Sequence, residues 1–173
     1  VAQKNSNEVS EMSEKMWNVY LSGEIHTDWR EDISAAVTNS SLPMCIYSPV
    51  CEHGDSDDCG AVILGSEEKQ FWHDRKGALM NSIRTRTLIG ESDIVVVRFG
   101  EKYRQWNAAF DAGLAAALGK PLITLHEPEL NHALKEIDAA ALAVCRTTGQ
   151  VVQTLSYVVG GTLPLEKGRL AAV

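Results

Sequence analysis

Long apolar runs, glycine-rich phosphate loops and closely paired cysteines are all missing from this chain of 173 residues. No apolar run reaches the roughly 18 residues that a membrane-spanning helix needs, and residues 1–15 are too polar for a secretory signal. Neither GxGxxG nor GxxxxGK(S/T) follows a predicted strand, which argues against a dinucleotide cofactor and against ATP hydrolysis. No GxSxG motif marks a nucleophilic serine. We therefore expect a cytoplasmic protein without cofactor and without membrane contact.

The four cysteines are too few and too scattered for a disulfide framework, so we expect reduced thiols. Cys51, His53 and Cys59, with aspartates between them, carry side chains of the kinds that bind zinc. No CxxC pair and no second half of a tetrahedral site accompany them. A solvated loop is the preferred interpretation, and no metal is predicted.

The charge balance is acidic, with a formal net charge of -7, while 45% of the residues are hydrophobic as in an ordinary globular domain. A surface of this charge argues against binding to nucleic acid or to anionic membranes. A few well-placed arginines can still make the electrostatic potential of one pocket positive, so a small anionic ligand is compatible with this charge. The expected partner is therefore a small molecule.

Short apolar segments alternate with helical patterns along the chain. Strands are predicted at 17–22, 43–47, 94–97, 121–125 and 143–146, and helices at 29–37, 70–89, 103–118, 131–142 and 149–159. Residues 50–68 are predicted as a long polar loop with one helical turn at 59–64, and Gly77 is a candidate break in the second helix.

This alternation predicts an α/β fold: a doubly wound, flavodoxin-like three-layer sandwich around a five-stranded parallel sheet. The unbroken apolar run of residues 94–97 is typical of a strand that helices cover on both faces. The domain is expected to span 17–159, between flexible tails at 1–16 and 160–173.

Ligands of open parallel sheets bind beyond the carboxyl ends of the strands. Three predicted loops at that edge are rich in groups able to bind a sugar or a base. The candidate binding residues are Gly23, Glu24, His26, Trp29 and Arg30 after the first strand, His53, Ser56 and Asp57 after the second, and Gly100, Tyr103, Trp106 and Asn107 after the third.

Asp111 lies about two turns into the helix that follows the third strand. It stands four residues after Asn107, on the same helix edge, at the border of an apolar stripe. A half-buried carboxylate at such a position needs hydrogen-bond partners or has a raised pKa. On helical phase alone, a solvated surface acid at the border of the core is the preferred interpretation.

Two long motifs, at 19–30 (YLSGEIHTDWR from Tyr20 onward) and at 99–111 (FGEKYRQWNAAFD), resemble those of the YtoQ family. The run GKPLI at 119–123 follows at the expected place, and the likeness covers about residues 18–158. That family is grouped with the nucleoside 2-deoxyribosyltransferases. The resemblance implies cleavage of an N-glycosidic bond by a carboxylate that takes the sugar as a covalent ester, with another base or water as the acceptor.

Residue by residue, the resemblance assigns the nucleophile to Asp111 and the assisting aromatic hydroxyl to Tyr20. Two further acids of the enzymes fall on Gln105 and near Thr85, which are not acids. Three arginines indicate an anionic ligand such as a nucleotide or a sugar phosphate. These are Arg30, Arg84 and Arg104.

Three functions therefore remain open from the sequence, one of them a structural or interaction protein whose alanine-rich helices pack between subunits. Another is an enzyme that transfers or hydrolyses the glycosidic bond of a nucleoside or nucleotide. The third is a binding module that keeps the pocket without turnover. The resemblance also implies a homodimer or a higher homo-oligomer.

Overall fold

The protein, described here by a computed structural model at residues 15–102 and 105–163, is built on five parallel strands. The strands are β1 (Trp17–Gly23), β2 (Met44–Tyr47), β3 (Ile94–Phe99), β4 (Leu122–His126) and β5 (Ala143–Cys145). Their order in the sheet is β2-β1-β3-β4-β5. This is the flavodoxin-like order, so the predicted fold class is confirmed.

Six helices and one short 3-10 turn connect the strands. They are α1 (Trp29–Asn39), α2 (His53–Leu64), α3 (Gln70–Glu91), α4 (Trp106–Ala117), α5 (Lys135–Ala140) and α6 (Thr148–Gly160), with the 3-10 turn at Pro128–Leu130. No helix in the described part of the chain is long and apolar enough to cross a membrane.

Side chains that alternate along the central strands form two cores, one on each face of the sheet. On one face, Leu21 and Val96 pack with α1 and α6. On the other face, Tyr20, Val95 and Val97 pack with α3 and α4. Both faces of β3 are therefore buried, as its unbroken apolar run predicts. Small alanines of α4, namely Ala108, Ala112 and Ala115, let that helix lie close to the sheet.

The predicted long loop at 50–68 is wrong, because most of it forms α2. Its Asp- and Gly-rich sequence has little helical preference, and packing against α3 stabilises it instead. Gly60 and Gly77 allow this packing. An added Cβ at Gly60 would lie 2.4 Å from the carbonyl carbon of Lys76, and one at Gly77 would lie 2.7 Å from the carbonyl oxygen of Asp57.

The candidate break at Gly77 is also wrong, since α3 runs without interruption from Gln70 to Glu91. The glycine permits a close helix crossing rather than a kink. Other bounds differ from the prediction at their ends: β3 continues to Phe99, α4 begins at Trp106, and α5 is reduced to Lys135–Ala140. Most of both predicted tails, at 1–14 and 164–173, lies outside the described residues.

Candidate functional site

A cavity of about 630 Å³ opens at the carboxyl end of β1, between α2, α3 and α4. Cavities of this size can hold a molecule as large as a nucleotide. Its lining is mixed polar and apolar, and consists of Ser22, Gly23, Ile25, Pro49, Val50, Ser56, Asp57, Asp74, Ala78, Asn81, Ser82, Arg84, Thr85, Arg86, Asn107, Ala108, Phe110 and Asp111.

Asp111 and Ser22 meet at the floor of this cavity. Ser22 follows Tyr20 by two residues, so both side chains point to the face that α4 covers. The Ser22 hydroxyl donates a hydrogen bond of 2.5 Å to Oδ2 of Asp111. Asp111 is only 9% exposed and Ser22 only 1%. The result is a buried carboxylate that is fixed by a strand residue and reaches an open cavity.

Burial raises the pKa of Asp111, and the hydrogen bond from Ser22 partly opposes that rise. No cation contributes to the shift. The carboxylate therefore lies in an environment that favours its neutral form or its conversion to an ester. In its ionised form, such a poorly solvated carboxylate can attack an electron-poor carbon.

Tyr20 lies beneath the cavity, and its side chain is fully buried. Among the described residues its hydroxyl has no hydrogen-bond partner. Burial raises the pKa of this hydroxyl to about 12, the neighbouring Thr85 side chain opposes that rise most, and the charge of Asp111 adds to it. The hydroxyl is thus a neutral group close to both Thr85 and the carboxylate.

The orientation of α4, which carries Asp111, depends on Gln105. This residue precedes the helix with a left-handed backbone, at φ 42° and ψ 49°. Its Oε1 accepts from the Gly100 N–H at 3.0 Å, and its Nε2 donates to the carbonyl of Lys102 at 2.8 Å. The amide of Gln105 therefore joins the start of α4 to the backbone that follows β3.

The opposite wall comes from the crossing of α2 and α3. Asn81 donates to the carbonyl oxygen of Ser56 at 2.8 Å and lies 3.2 Å from its hydroxyl. This contact joins the two helices beside the cavity. Because α2 was predicted as a loop, the sequence could not indicate which face of α3 lines the cavity.

Six of the residues named from the sequence line the cavity together. They are Gly23, Ser56, Asp57, Arg84, Asn107 and Asp111. Tyr103 lies outside the described residues. Trp106 is 70% exposed and does not line the cavity. The rings of His26 and His53 lie 6.0 Å apart, also outside the lining.

Trp29 and Arg30 are buried beneath the loop that follows β1. The indole of Trp29 donates to the carbonyl of Glu24 at 2.8 Å. The guanidinium of Arg30 donates to the carbonyls of Leu21, Gly23 and Glu24 at 3.1, 3.0 and 2.6 Å. Both side chains hold the backbone of this loop instead of facing the cavity.

Glu24 and Gly100 line a second, smaller cavity of about 140 Å³. The carboxylate of Glu24 accepts from the backbone N–H of His26 and from the Thr27 hydroxyl, and lies 3.5 Å from Nε of Arg98. A Cβ on Gly100 would lie 2.5 Å from Cγ of Glu24, so the glycine leaves room for this side chain.

Several cavity residues were not singled out in the sequence, above all Ser22, Asn81, Arg86 and Phe110. Ser22 had a usable signal, because it lies at the end of a predicted strand. Phe110 is 59% exposed, and only the path of α4 past the cavity makes it part of the lining. Within the described ranges, no cluster of three or more His, Cys, Asp or Glu side chains could hold a metal ion.

Comparison with known proteins agrees with this architecture. The family model described as "Nucleoside 2-deoxyribosyltransferase YtoQ" matches residues 20–159. The chain is 41% identical to the Bacillus subtilis (strain 168) protein described as "Uncharacterized protein YtoQ", over 140 residues that cover 81% of this chain and 95% of that protein.

Two solved structures share the fold at low identity. A 2-deoxyribosyltransferase from Bacillus psychrosaccharolyticus matches with a TM-score of 0.51 and 16% identity, covering 80% of this chain and 95% of that one. A conserved protein from Enterococcus faecalis V583 matches with a TM-score of 0.56 and 13% identity, covering 83% and 99%.

Proposed function

The chain belongs to the YtoQ family of nucleoside 2-deoxyribosyltransferase-like proteins, and we propose that it cleaves or transfers the N-glycosidic bond of a nucleoside or nucleotide. The observation that carries the proposal is the Asp111 carboxylate, 9% exposed and bonded to Ser22, at the floor of the larger cavity. Its family and the fold it shares with a deoxyribosyltransferase support the same reaction class.

In the proposed reaction, an oxygen of Asp111 attacks the anomeric carbon of the sugar while the bond from that carbon to the base breaks. The base leaves with the electron pair of that bond and takes up a proton from solvent water. A nitrogen of a second base, or water, then attacks the same carbon and releases a proton to solvent, and Asp111 leaves as a carboxylate. Two displacements retain the configuration at the anomeric carbon.

Tyr20 serves in this proposal as the positioning residue for the nucleophile. Its buried hydroxyl lies near enough to Asp111 for the charge of that carboxylate to raise its pKa. A donor at this place would hold one carboxylate oxygen together with Ser22 and leave the other directed toward the sugar. Phe110, at the cavity wall, offers an aromatic surface on which a base can stack.

A second candidate is a binding module that holds the nucleotide without turning it over. Gln105 favours it, because its amide is bonded to the backbone of Gly100 and Lys102 and supplies no proton to a departing base. In both cases we propose a homodimer or a higher homo-oligomer, in keeping with the exposed aromatic rings of Trp106 and Phe110 on α4. Light scattering tests the assembly.

The reaction is tested by incubating the protein with nucleosides and nucleoside monophosphates and following the release of free base by chromatography. Asp111→Asn and Asp111→Ala should abolish release. Asp32→Asn is the matched control, because Asp32 is an exposed acid on α1. With a substrate that carries fluorine at C2 of the sugar, a glycosyl ester should accumulate on the peptide that contains Asp111. Full activity in both Asp111 variants would refute the assignment of the nucleophile.

A further inference from the structure

Two arginines of α3, Arg84 and Arg86, line the cavity that contains Asp111, and we call them the arginine pair. Both are exposed at the cavity mouth. Neither forms an ion pair with a carboxylate anywhere in residues 15–102 or 105–163. Arg84 makes one long contact, from an Nη to the carbonyl of Ser48 at 3.4 Å. The pair thus presents two positive charges to the cavity that no protein acid neutralises.

Three other arginines of the described chain have protein partners. Arg30 donates to three backbone carbonyls. Arg98 lies 3.5 Å from the carboxylate of Glu24. Arg146 donates to the carbonyl of His126. Of the arginines that the sequence suggested as anion ligands, Arg30 is therefore occupied, whereas Arg84 is open to a ligand.

The acids of the cavity form no ion pair with the arginine pair within the described residues. Asp74 accepts a hydrogen bond from Gln70 at 2.6 Å, and Asp57 lies 3.9 Å from Nδ1 of His53. Asp111 is bonded to Ser22 on the floor. The cavity therefore has a buried carboxylate at its floor, two guanidinium groups without an acidic partner at its mouth, and the exposed carboxylates of Asp57 and Asp74 elsewhere in its lining.

Neutral donors surround the arginine pair. Asn81, Ser82 and Thr85 of the same helix line the cavity beside it. Guanidinium groups bind phosphate through short, charge-assisted and often bidentate hydrogen bonds.

We propose that the substrate of this site carries a phosphate on its sugar, so that the protein acts on a nucleoside monophosphate and not on a free nucleoside. The arginine pair binds the phosphate at the mouth while Asp111 faces the anomeric carbon at the floor. This inference rests on the proposed function. Of the two substrate classes named there, nucleosides and nucleotides, it selects the nucleotides.

The test compares nucleoside monophosphates with the matching nucleosides for wild type, Arg84→Gln, Arg86→Gln and the double variant. Wild type should prefer the monophosphate about 100-fold in kcat/KM, as two charge-assisted contacts would allow. The double variant should lose most of that preference, because kcat/KM should fall far more for the monophosphate than for the nucleoside. Arg75→Gln is the control, because Arg75 is exposed on α3 outside the cavity lining.

Calorimetry on the Asp111→Asn variant gives a second readout that does not depend on turnover. A monophosphate should bind at least about tenfold more tightly than its nucleoside, and the double arginine change should remove the difference. Turnover of nucleosides as fast as monophosphates, or a preference that survives the double variant, would overturn the phosphate assignment and leave the proposed reaction intact. Arginine-dependent binding without turnover of either class would refute the reaction and retain the phosphate site.

Discussion

The hydrogen bond between Ser22 and Asp111 allows a prediction with a defined magnitude. Ser22→Ala removes the donor that lies 2.5 Å from Oδ2 of Asp111. The two residues are 1% and 9% exposed, so water has little access to replace the lost bond. The carboxylate is then buried with one donor fewer.

A hydrogen bond to a charged group contributes about 1.5–3 kcal/mol to stability. We expect Ser22→Ala to lower the free energy of unfolding at pH 7 by that amount. In an Asp111→Ala background the same change should cost much less, because the charged acceptor is gone. The coupling between Ser22 and Asp111 in a double-mutant cycle should therefore be about 1.5–3 kcal/mol.

Urea unfolding of the four proteins in the cycle measures this coupling, with Ser66→Ala as a control at an exposed serine. The hydrogen bond from Ser22 favours the charged form of Asp111, so its loss should raise the pKa of that carboxyl. Ser22→Ala should therefore also move the acidic limb of the pH–rate profile toward higher pH. A coupling below about 0.5 kcal/mol, the usual limit of additivity, would refute the role of Ser22 as the support of the nucleophile.

Three further predictions concern stability. Burial raises the pKa of Asp111 in the folded protein above the ordinary Asp value of about 3.9. The contribution of the protonated carboxyl to the free energy of unfolding is therefore fully present below the ordinary value and is lost as the pH rises through the raised pKa. Asp111→Asn should therefore unfold in urea at a higher midpoint than wild type at pH 7, and the advantage should vanish in acid. Tyr20→Phe removes a buried hydroxyl without a partner in the described chain, so thermal and urea unfolding should show a loss of stability below about 1 kcal/mol. The same variant should lower kcat, and an unchanged kcat would contradict the positioning role of Tyr20. Gly77→Ala should destabilise by about 1–3 kcal/mol, because its Cβ would lie 2.7 Å from the Asp57 carbonyl oxygen. Gly90→Ala in the same helix meets nothing within 4 Å and should stabilise by about 0.5–1 kcal/mol in the same urea titration.

The parallel sheet was predictable because its signal is local. The apolar run that begins at Ile94 can be satisfied only by burial on both faces, and the structure buries it there. For Asp111, helical phase alone favoured a solvated surface acid, and the structure buries it. The decisive information for the strand lies within one element of secondary structure, whereas the burial of Asp111 depends on how α4 packs on the sheet.

The wall of the site could not be predicted in this way. Helix α2 is stabilised by its crossing with α3, where Gly60 and Gly77 allow close contact. Local propensity instead predicts a loop around Gly60 and a helix break at Gly77. Arg30 shows the same limit for a single side chain, because only the path of the loop after β1 brings three carbonyls to its guanidinium. Information of this kind comes from contacts between distant parts of the chain.

The most direct test of the proposed reaction is mass spectrometry of the protein after incubation with a nucleoside monophosphate that carries fluorine at C2 of the sugar. The peptide that contains Asp111 should gain the mass of the phosphorylated fluoro-sugar, and Asp111→Asn should abolish that gain. Release of free base by wild type with no such adduct, and with undiminished release by Asp111→Asn, would contradict a covalent mechanism at this carboxylate.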